Sequence, residues 1–277
     1  MNADAPALSQ VNAAGEPLVV VSEAAEHVRY VTLNRPEKRN AISTPLRAQL
    51  FAALQANDHD DDVRVSIVRG AGDRFSSGYD LKSPLLDDPP TYSAPGDGAW
   101  TRQATDGWFS IWDLAKPVVA QVHGYAMAGA TELATACDLV YVADGARISY
   151  PVVRVASPPD WQYHEPLMGL RHAMEMMLTG DAVDGAEAAR MGWANRAYPV
   201  GDLEAAVLAV AERIAGVASD LSQVIKRMVH RQFDVGGGRA AMRAGQEFQA
   251  LAGHQASVQA FRADPLGTMK ASIEEDG

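Results

Sequence analysis

Cysteine is nearly absent from this 277-residue chain, with Cys137 standing alone. A single cysteine excludes an intramolecular disulfide and, with no Cys/His cluster near it, leaves no zinc-site pattern. Its place on an apolar helical face points to a buried structural thiol rather than a nucleophile. Positive charge is also scarce: 24 Lys and Arg stand against 35 Asp and Glu, a net charge of −11, and no basic tract interrupts the acidic balance. Nucleic acid and anionic membrane surfaces are therefore poor partners. The lysines are Lys38, Lys82, Lys116, Lys226 and Lys270, and no helix collects them. Long hydrophobic runs are missing, and nothing approaches the ~18 residues needed to span a bilayer. Residues 1–17 lack the charged and apolar regions of a signal peptide and read as a flexible polar tail. These absences predict a soluble, cytoplasmic chain with no membrane partner, no metal and no bound cofactor.

The composition that is present, 47% hydrophobic, suffices for a sizeable core. Two β-prone runs, Leu18 to Ser22 and Val28 to Leu33, read as a hairpin. Ser43 or Thr44 caps a helix with Pro45 in its first turn, and Val63 to Arg69 is a third strand. This β–α–β rhythm predicts a layered α/β architecture. Gly78-Tyr79-Asp80 is predicted to start a short helix after that strand. Residues 83–99, rich in proline and glycine, read as a long loop, either a pocket wall or merely disordered. Trp100 to Leu114 then looks helical. Strands are predicted at Leu139 to Val142 and Arg147 to Tyr150, and a short one at Trp193 to Tyr198. Helices are expected over 166–178, from an Asp184 cap to Gly192, and over 202–217, 220–233 and 239–261. The organisation is thus a tail (1–17), a core (18–200) and a helical C-terminal region (201–277).

The most informative stretch is 116–139, KPVVAQVHGYAMAGATELATACDL. Val118 to Val122 is a strand, His123 to Met127 turns the chain, and a helix begins at the small residues Ala128, Gly129 and Ala130. A helix start without bulky side chains offers unpaired N–H groups and a partial positive charge, suited to a carbonyl oxygen that becomes an oxyanion. Glu132, in the first turn, puts a carboxylate beside such a donor site. Small residues at such a corner also serve tight packing, and a first-turn glutamate also complements the helix dipole.

Four segments together resemble the crotonase (enoyl-CoA hydratase/isomerase) superfamily. They are VTLNRPEKRNAI at 31–42, RVSIVRGAGDRFSSGYDLK at 64–82, KPVVAQVHGYAMAGATELATACDLV at 116–140 and RHAMEMMLTGDAVDGAEAARMGWANRAYP at 171–199. The resemblance spans about 18–262 and implies a ββα spiral core with a C-terminal helical trimerisation region. It implies an acyl-CoA thioester substrate, with coenzyme A entering only as part of it, and a homotrimer or dimer of trimers. The oxyanion donors would be the backbone N–H groups of Tyr79 and Gly129, with the Tyr79 side chain of little consequence. Arg35, Lys38, Asn40, Asp80, Leu81 and Lys82 would lie near the nucleotide of CoA.

Glu132 falls on the first catalytic glutamate of the hydratases. The second, which follows a proline in the family, is replaced: the stretch Ile148-Ser149-Tyr150-Pro151-Val152 puts Val152 there. Eight residues on stands Asp160, matching an aspartate that acts as base, nucleophile or water activator in dienoyl-CoA isomerases, a dehalogenase and a ring-cleaving diketone hydrolase. The Pro-Pro-Asp context of Asp160 also fits a helix N-cap. Trp161, Tyr163 and His164 either line an acyl pocket or pack in the core, as do Trp100, Trp108 and Trp112, and His123 reads as structural. The leading expectation is a hydratase or isomerase working through a thioester enolate. The alternatives are a hydrolase of the same scaffold using Asp160, or a non-catalytic CoA-binding protein. A serine hydrolase built on Ser77 and His123 lacks an identifiable third member.

Overall fold

The computed structural model describes residues 8–83, 96–265 and 267–268. Most of the expected 83–99 loop, and residues 1–7 of the expected tail, lie outside the described residues. Val11 bridges Pro17 in the described part of that tail.

Strands rich in valine and isoleucine build the main sheet. β1 (Val19–Ala25) and β2 (Val28–Leu33) form the expected antiparallel hairpin, and β3 (Val65–Gly70), β4 (Val118–Val122), β6 (Leu139–Ala143) and β9 (Arg196–Tyr198) follow in parallel, in the order β1-β2-β3-β4-β6-β9. All five residues of β4 are buried, as befits a central parallel strand covered on both faces. A second sheet of three short strands joins β5 (Tyr125–Met127), β7 (Arg147–Ser149) and β8 (Val183–Asp184).

Nine helices are seen among the described residues. α1 (Thr44–His59) starts as its sequence dictates, with the Ser43 hydroxyl accepting the Leu46 N–H and Pro45 in the first turn. α2 (Ala99–Trp112) and α3 (Gly129–Ala136) flank the site described below. α4 (His164–Thr179) is interrupted by Gly169, whose φ of +75° breaks the helical backbone. α5 (Gly185–Met191) is capped by the Asp184 carboxylate, as expected. α6 (Val200–Ala215) buries Leu203, Val207, Ala211 and Ala215 in the common core. By contrast, α7 (Ser219–Val235) buries only Lys226 and exposes Leu221, Val224, Ile225, Met228 and Val229.

Three expectations need correction. The helix predicted over 239–261 is two, α8 (Gly238–Ala252) and α9 (Ala256–Ala263), because the chain turns at 253–255. The helix predicted at Gly78 is instead an extended turn in which Tyr79 bridges Ile42 in parallel, with Gly78 at φ +86°. Asp160 caps nothing: α4 begins at His164, its N-cap is Tyr163, and no side chain caps it.

A candidate active site of two oxyanion donors and two buried carboxyls

Two turns from distant parts of the chain meet beside α3. The 76–80 turn runs along β5, with Ser76 bridging Ala126 and the Met127 N–H donating to the Ser76 carbonyl. From the other side the 35–42 loop holds it. Ser77 N–H donates to the Arg39 carbonyl, Ile42 N–H to the Gly78 carbonyl, and Asp80 N–H to the Ile42 carbonyl. The Ser76 hydroxyl donates to the Asn40 carbonyl at 2.7 Å and accepts the Gly78 N–H at 3.1 Å. A Cβ added to Gly78 would stand 2.5 Å from the Met127 carbonyl oxygen and 3.1 Å from the Gly129 nitrogen. That proximity brings the Tyr79 and Gly129 corners together. Ala128 is bent to φ +48°, ψ −124°, a strained backbone for a non-glycine residue, and is held there by its N–H on the Ser149 carbonyl. Among the described residues, neither the Tyr79 N–H nor the Gly129 N–H has an acceptor.

Glu132, one turn into α3, is fully buried and accepts four hydrogen bonds. Oε1 takes the Tyr150 hydroxyl at 2.8 Å and the Asp160 N–H at 3.1 Å. Oε2 takes the Tyr79 hydroxyl at 2.9 Å and the Trp108 indole N–H at 3.0 Å. Burial pushes this carboxyl above its ordinary range, and the four donors oppose it. Asp160 is also buried; its backbone carbonyl accepts the Thr105 hydroxyl at 2.8 Å, and its Oδ1 has no partner among the described residues. Burial, then the Glu132 charge, raises the Asp160 carboxyl to about 8, against the pull of Thr101, Arg47 and Trp100. Arg47, on α1, is buried with its guanidinium donating to the Gln103 and Ala104 carbonyls and lying 4.8 Å from the Trp108 ring centroid.

Tyr79, Gly129, Glu132 and Asp160, four positions singled out from sequence, thus converge. The Tyr79 side chain is a correction. Far from inconsequential, its ring covers Gly129, packs edge-on against Trp100 at 5.0 Å, stacks at 6.2 Å on Trp108 and bonds Glu132 through its hydroxyl. Asn40 is a second correction. It is wholly buried, its Nδ2 donating to the Ala71 and Arg74 carbonyls and its Oδ1 accepting the Arg35 N–H, so it braces the turn and has no face for a nucleotide. Arg35 and Asp80 pair with each other at 2.6 Å. Burial raises the Asp80 carboxyl, but Arg35 and the Lys82 N–H outweigh it and hold it below its usual value. Lys38, Leu81 and Lys82 are exposed.

Val152 sits in the short 3-10 turn Pro151–Arg154. Trp161 and Tyr163 are fully buried, and Trp161 packs against Phe109 and Trp112. His164 stacks on Tyr163 at 3.9 Å, with burial pushing it down to about 3, so it is a neutral packing residue. His123 bonds the Gly72 carbonyl at 3.0 Å, the structural role expected of it. Sequence reasoning missed Tyr150 and Arg47 and left Trp108 undecided. The available signal for Tyr150 was its place two residues before Val152.

Known proteins agree with this architecture. Residues 23–265 match the family model of enoyl-CoA hydratase/isomerase. An enoyl-CoA hydratase/isomerase structure from Xanthobacter autotrophicus superposes with a TM-score of 0.82 at 30% identity, over 93% of this chain and 96% of that one. An enoyl-CoA hydratase structure from Mycobacterium smegmatis gives 0.81 at 30% identity, over 95% and 94%. The (E)-benzylidenesuccinyl-CoA hydratase of Thauera aromatica is 33% identical over 213 residues, 75% of this chain and 80% of its own. The fold and its paired turns define a crotonase-type, acyl-CoA-processing enzyme. The chain belongs to the enoyl-CoA hydratase/isomerase family.

Proposed function

We propose that this enzyme acts on an acyl-CoA through a thioester enolate, as a hydratase or a C=C isomerase. The thioester oxygen sits between the Tyr79 and Gly129 N–H groups, and the buried pair Glu132 and Asp160 handles the proton at the adjacent carbon. The observation that carries this reading is the meeting of two N–H groups, without acceptors among the described residues, with two buried carboxyls, the Asp160 backbone N–H donating to Glu132 Oε1. Donors preorganised in a buried corner contribute about 3 kcal/mol each to an oxyanionic transition state. The nucleotide of CoA is placed by the exposed Lys38, Leu81 and Lys82 and by the Arg35–Asp80 pair beside that turn. Coenzyme A enters only as part of the substrate. The apolar α7 face, with Leu221, Val224, Ile225 and Met228, supports a homotrimer or dimer of trimers. A lone, free, buried Cys137 suits a cytoplasmic setting, and no helix among the described residues is long and apolar enough to cross a membrane.

Val152 in place of a second glutamate favours isomerase over plain hydratase chemistry, because activating water and delivering a proton call for two groups. The Asp160 Oδ1, without a partner among the described residues, supports a second reading, hydrolysis by a water that Asp160 positions. The test is product analysis over a panel of 2-enoyl, 3-enoyl and saturated acyl-CoAs. The ring-lined corner is a reason to include an aromatic acyl group. A hydrated or shifted double bond supports the enolate reading, and release of free CoA supports the hydrolase. No turnover beside intact CoA binding refutes both.

A further inference from the structure

The hydrogen bonds at Glu132 divide the labour between the two carboxyls. A carboxylate has four lone-pair sites, and here two donors meet each oxygen, from Tyr79, Trp108, Tyr150 and the Asp160 backbone. Every lone-pair site thus faces a protein donor, the Trp108 N–H being shared with the Tyr79 hydroxyl at 3.0 Å. All four donors favour the charged form, against burial, which raises the Glu132 carboxyl above its ordinary range. Asp160 is less fully engaged: Thr101 and Trp100 pull on its carboxyl, but its Oδ1 has no partner among the described residues, and nine-tenths or more of its surface is buried. The buried Arg47 is the cation that favours its charge. With Glu132 ionised, Arg47 and Glu132 balance, and a charge on Asp160 would be uncompensated.

We propose that Tyr79 and Tyr150 are positioning residues that pin Glu132 as a fixed anion, so that Glu132 does not carry the proton and Asp160 does. This rests on the enolate reading above and narrows its proton-handling pair to Asp160 alone. In the step, Asp160 Oδ1 takes a hydrogen from the carbon next to the thioester. The C–H bond breaks, an O–H bond forms, and the electron pair moves to the thioester oxygen held by the Tyr79 and Gly129 N–H groups. The reverse step returns the hydrogen to carbon. Glu132 contributes through its charge, which makes Asp160 a stronger base than an ordinary carboxylate, and a base near neutrality is better matched to a weakly acidic C–H.

The test is solvent deuterium exchange at the α-carbon of a saturated acyl-CoA, followed against pH by mass spectrometry, with CoA binding measured in parallel. In the wild type the exchange should rise with pH to an apparent midpoint near the alkaline value given for Asp160. Asp160→Asn should abolish exchange. Glu132→Gln should retain it, with the midpoint moved about one unit lower as the neighbouring charge is removed. Tyr79→Phe and Tyr150→Phe each remove one Glu132 hydrogen bond while leaving the backbone N–H groups in place, and should each lower kcat about ten-fold with KM little changed. Exchange lost in Glu132→Gln but kept in Asp160→Asn, both binding CoA, overturns the proposal. So does a wild-type midpoint in the ordinary carboxylate range, which needs no variant to fold. Absence of exchange in the wild type with CoA still bound refutes instead the enolate reading beneath it.

Discussion

Gly129→Ala perturbs the oxyanion corner at its most crowded point. The added methyl would stand 2.6, 2.7 and 3.0 Å from three carbons of the Tyr79 ring, and contacts under 3 Å require movement. The ring has little room to retreat, because its hydroxyl is tied to Glu132 and it lies against both Trp100 and Trp108. Overpacking of this kind costs about 1–3 kcal/mol. If the strain is relieved by displacing the α3 start, the Gly129 N–H leaves the oxyanion position, at about 3 kcal/mol or roughly 10²-fold in kcat. Steady-state kinetics on the best substrate of the panel, with thermal unfolding alongside, should show that fall in kcat and a lowered Tm. In a Tyr79→Ala background the methyl has space, so the stability cost of Gly129→Ala should largely vanish in a double-mutant cycle. A Gly129→Ala enzyme within about three-fold of wild-type kcat would refute the assignment of this N–H as an oxyanion donor.

Other positions give sharp expectations. Asn40→Ala strands three backbone partners and should cost about 2–4 kcal/mol in urea unfolding, with no selective rise in the KM for acyl-CoA; a KM effect without destabilisation would return Asn40 to the nucleotide site. Ala128→Gly should stabilise the fold by about 1 kcal/mol by relieving the positive φ; a lower Tm would contradict the strain. Asp138 bonds the largely buried Lys226 at 2.8 Å and the Val118 N–H at 2.8 Å, so Asp138→Asn should cost about 3 kcal/mol, against a near-neutral result if the pair is superficial. Asp160 lies near 8 in the fold, above the unfolded value of about 3.9. Between those limits the native state holds a proton that the unfolded chain has lost. Stability should therefore fall as pH rises, by roughly 1.4 kcal/mol per pH unit from this group. Denaturant titrations should show that slope flattened in Asp160→Asn, and an unchanged slope would mean that Asp160 is not buried as a neutral acid.

What the sequence made legible follows the strength of local signals. β2 and β4 begin and end where their β-branched runs do, and α1 starts at its Ser43 cap. The strand–turn–helix at 118–136 was readable for the same reason, and with it Gly129 and Glu132. β5 and β8 were not, because three and two residues carry too little periodicity to compete with the turns around them. The Gly78 turn was misread as helical because its pairing with Ile42 is set by a loop some forty positions earlier. The single helix expected at 239–261 broke where local turn chemistry outweighed an apolar repeat. Side-chain roles were least legible. Tyr79, Trp108 and Tyr150 reach Glu132 from three separate elements, and Asn40 looked like a ligand contact until its amide proved to brace three backbone groups.

The central claim is that a thioester carbonyl is polarised between the Tyr79 and Gly129 N–H groups. It is tested most directly by infrared difference spectroscopy of an acyl-CoA labelled with carbon-13 at the thioester carbonyl, free and bound to the wild-type enzyme. The carbonyl band should move to lower frequency on binding, and that movement should shrink in Gly129→Ala. A bound thioester whose carbonyl band stays where it is in water would contradict the account.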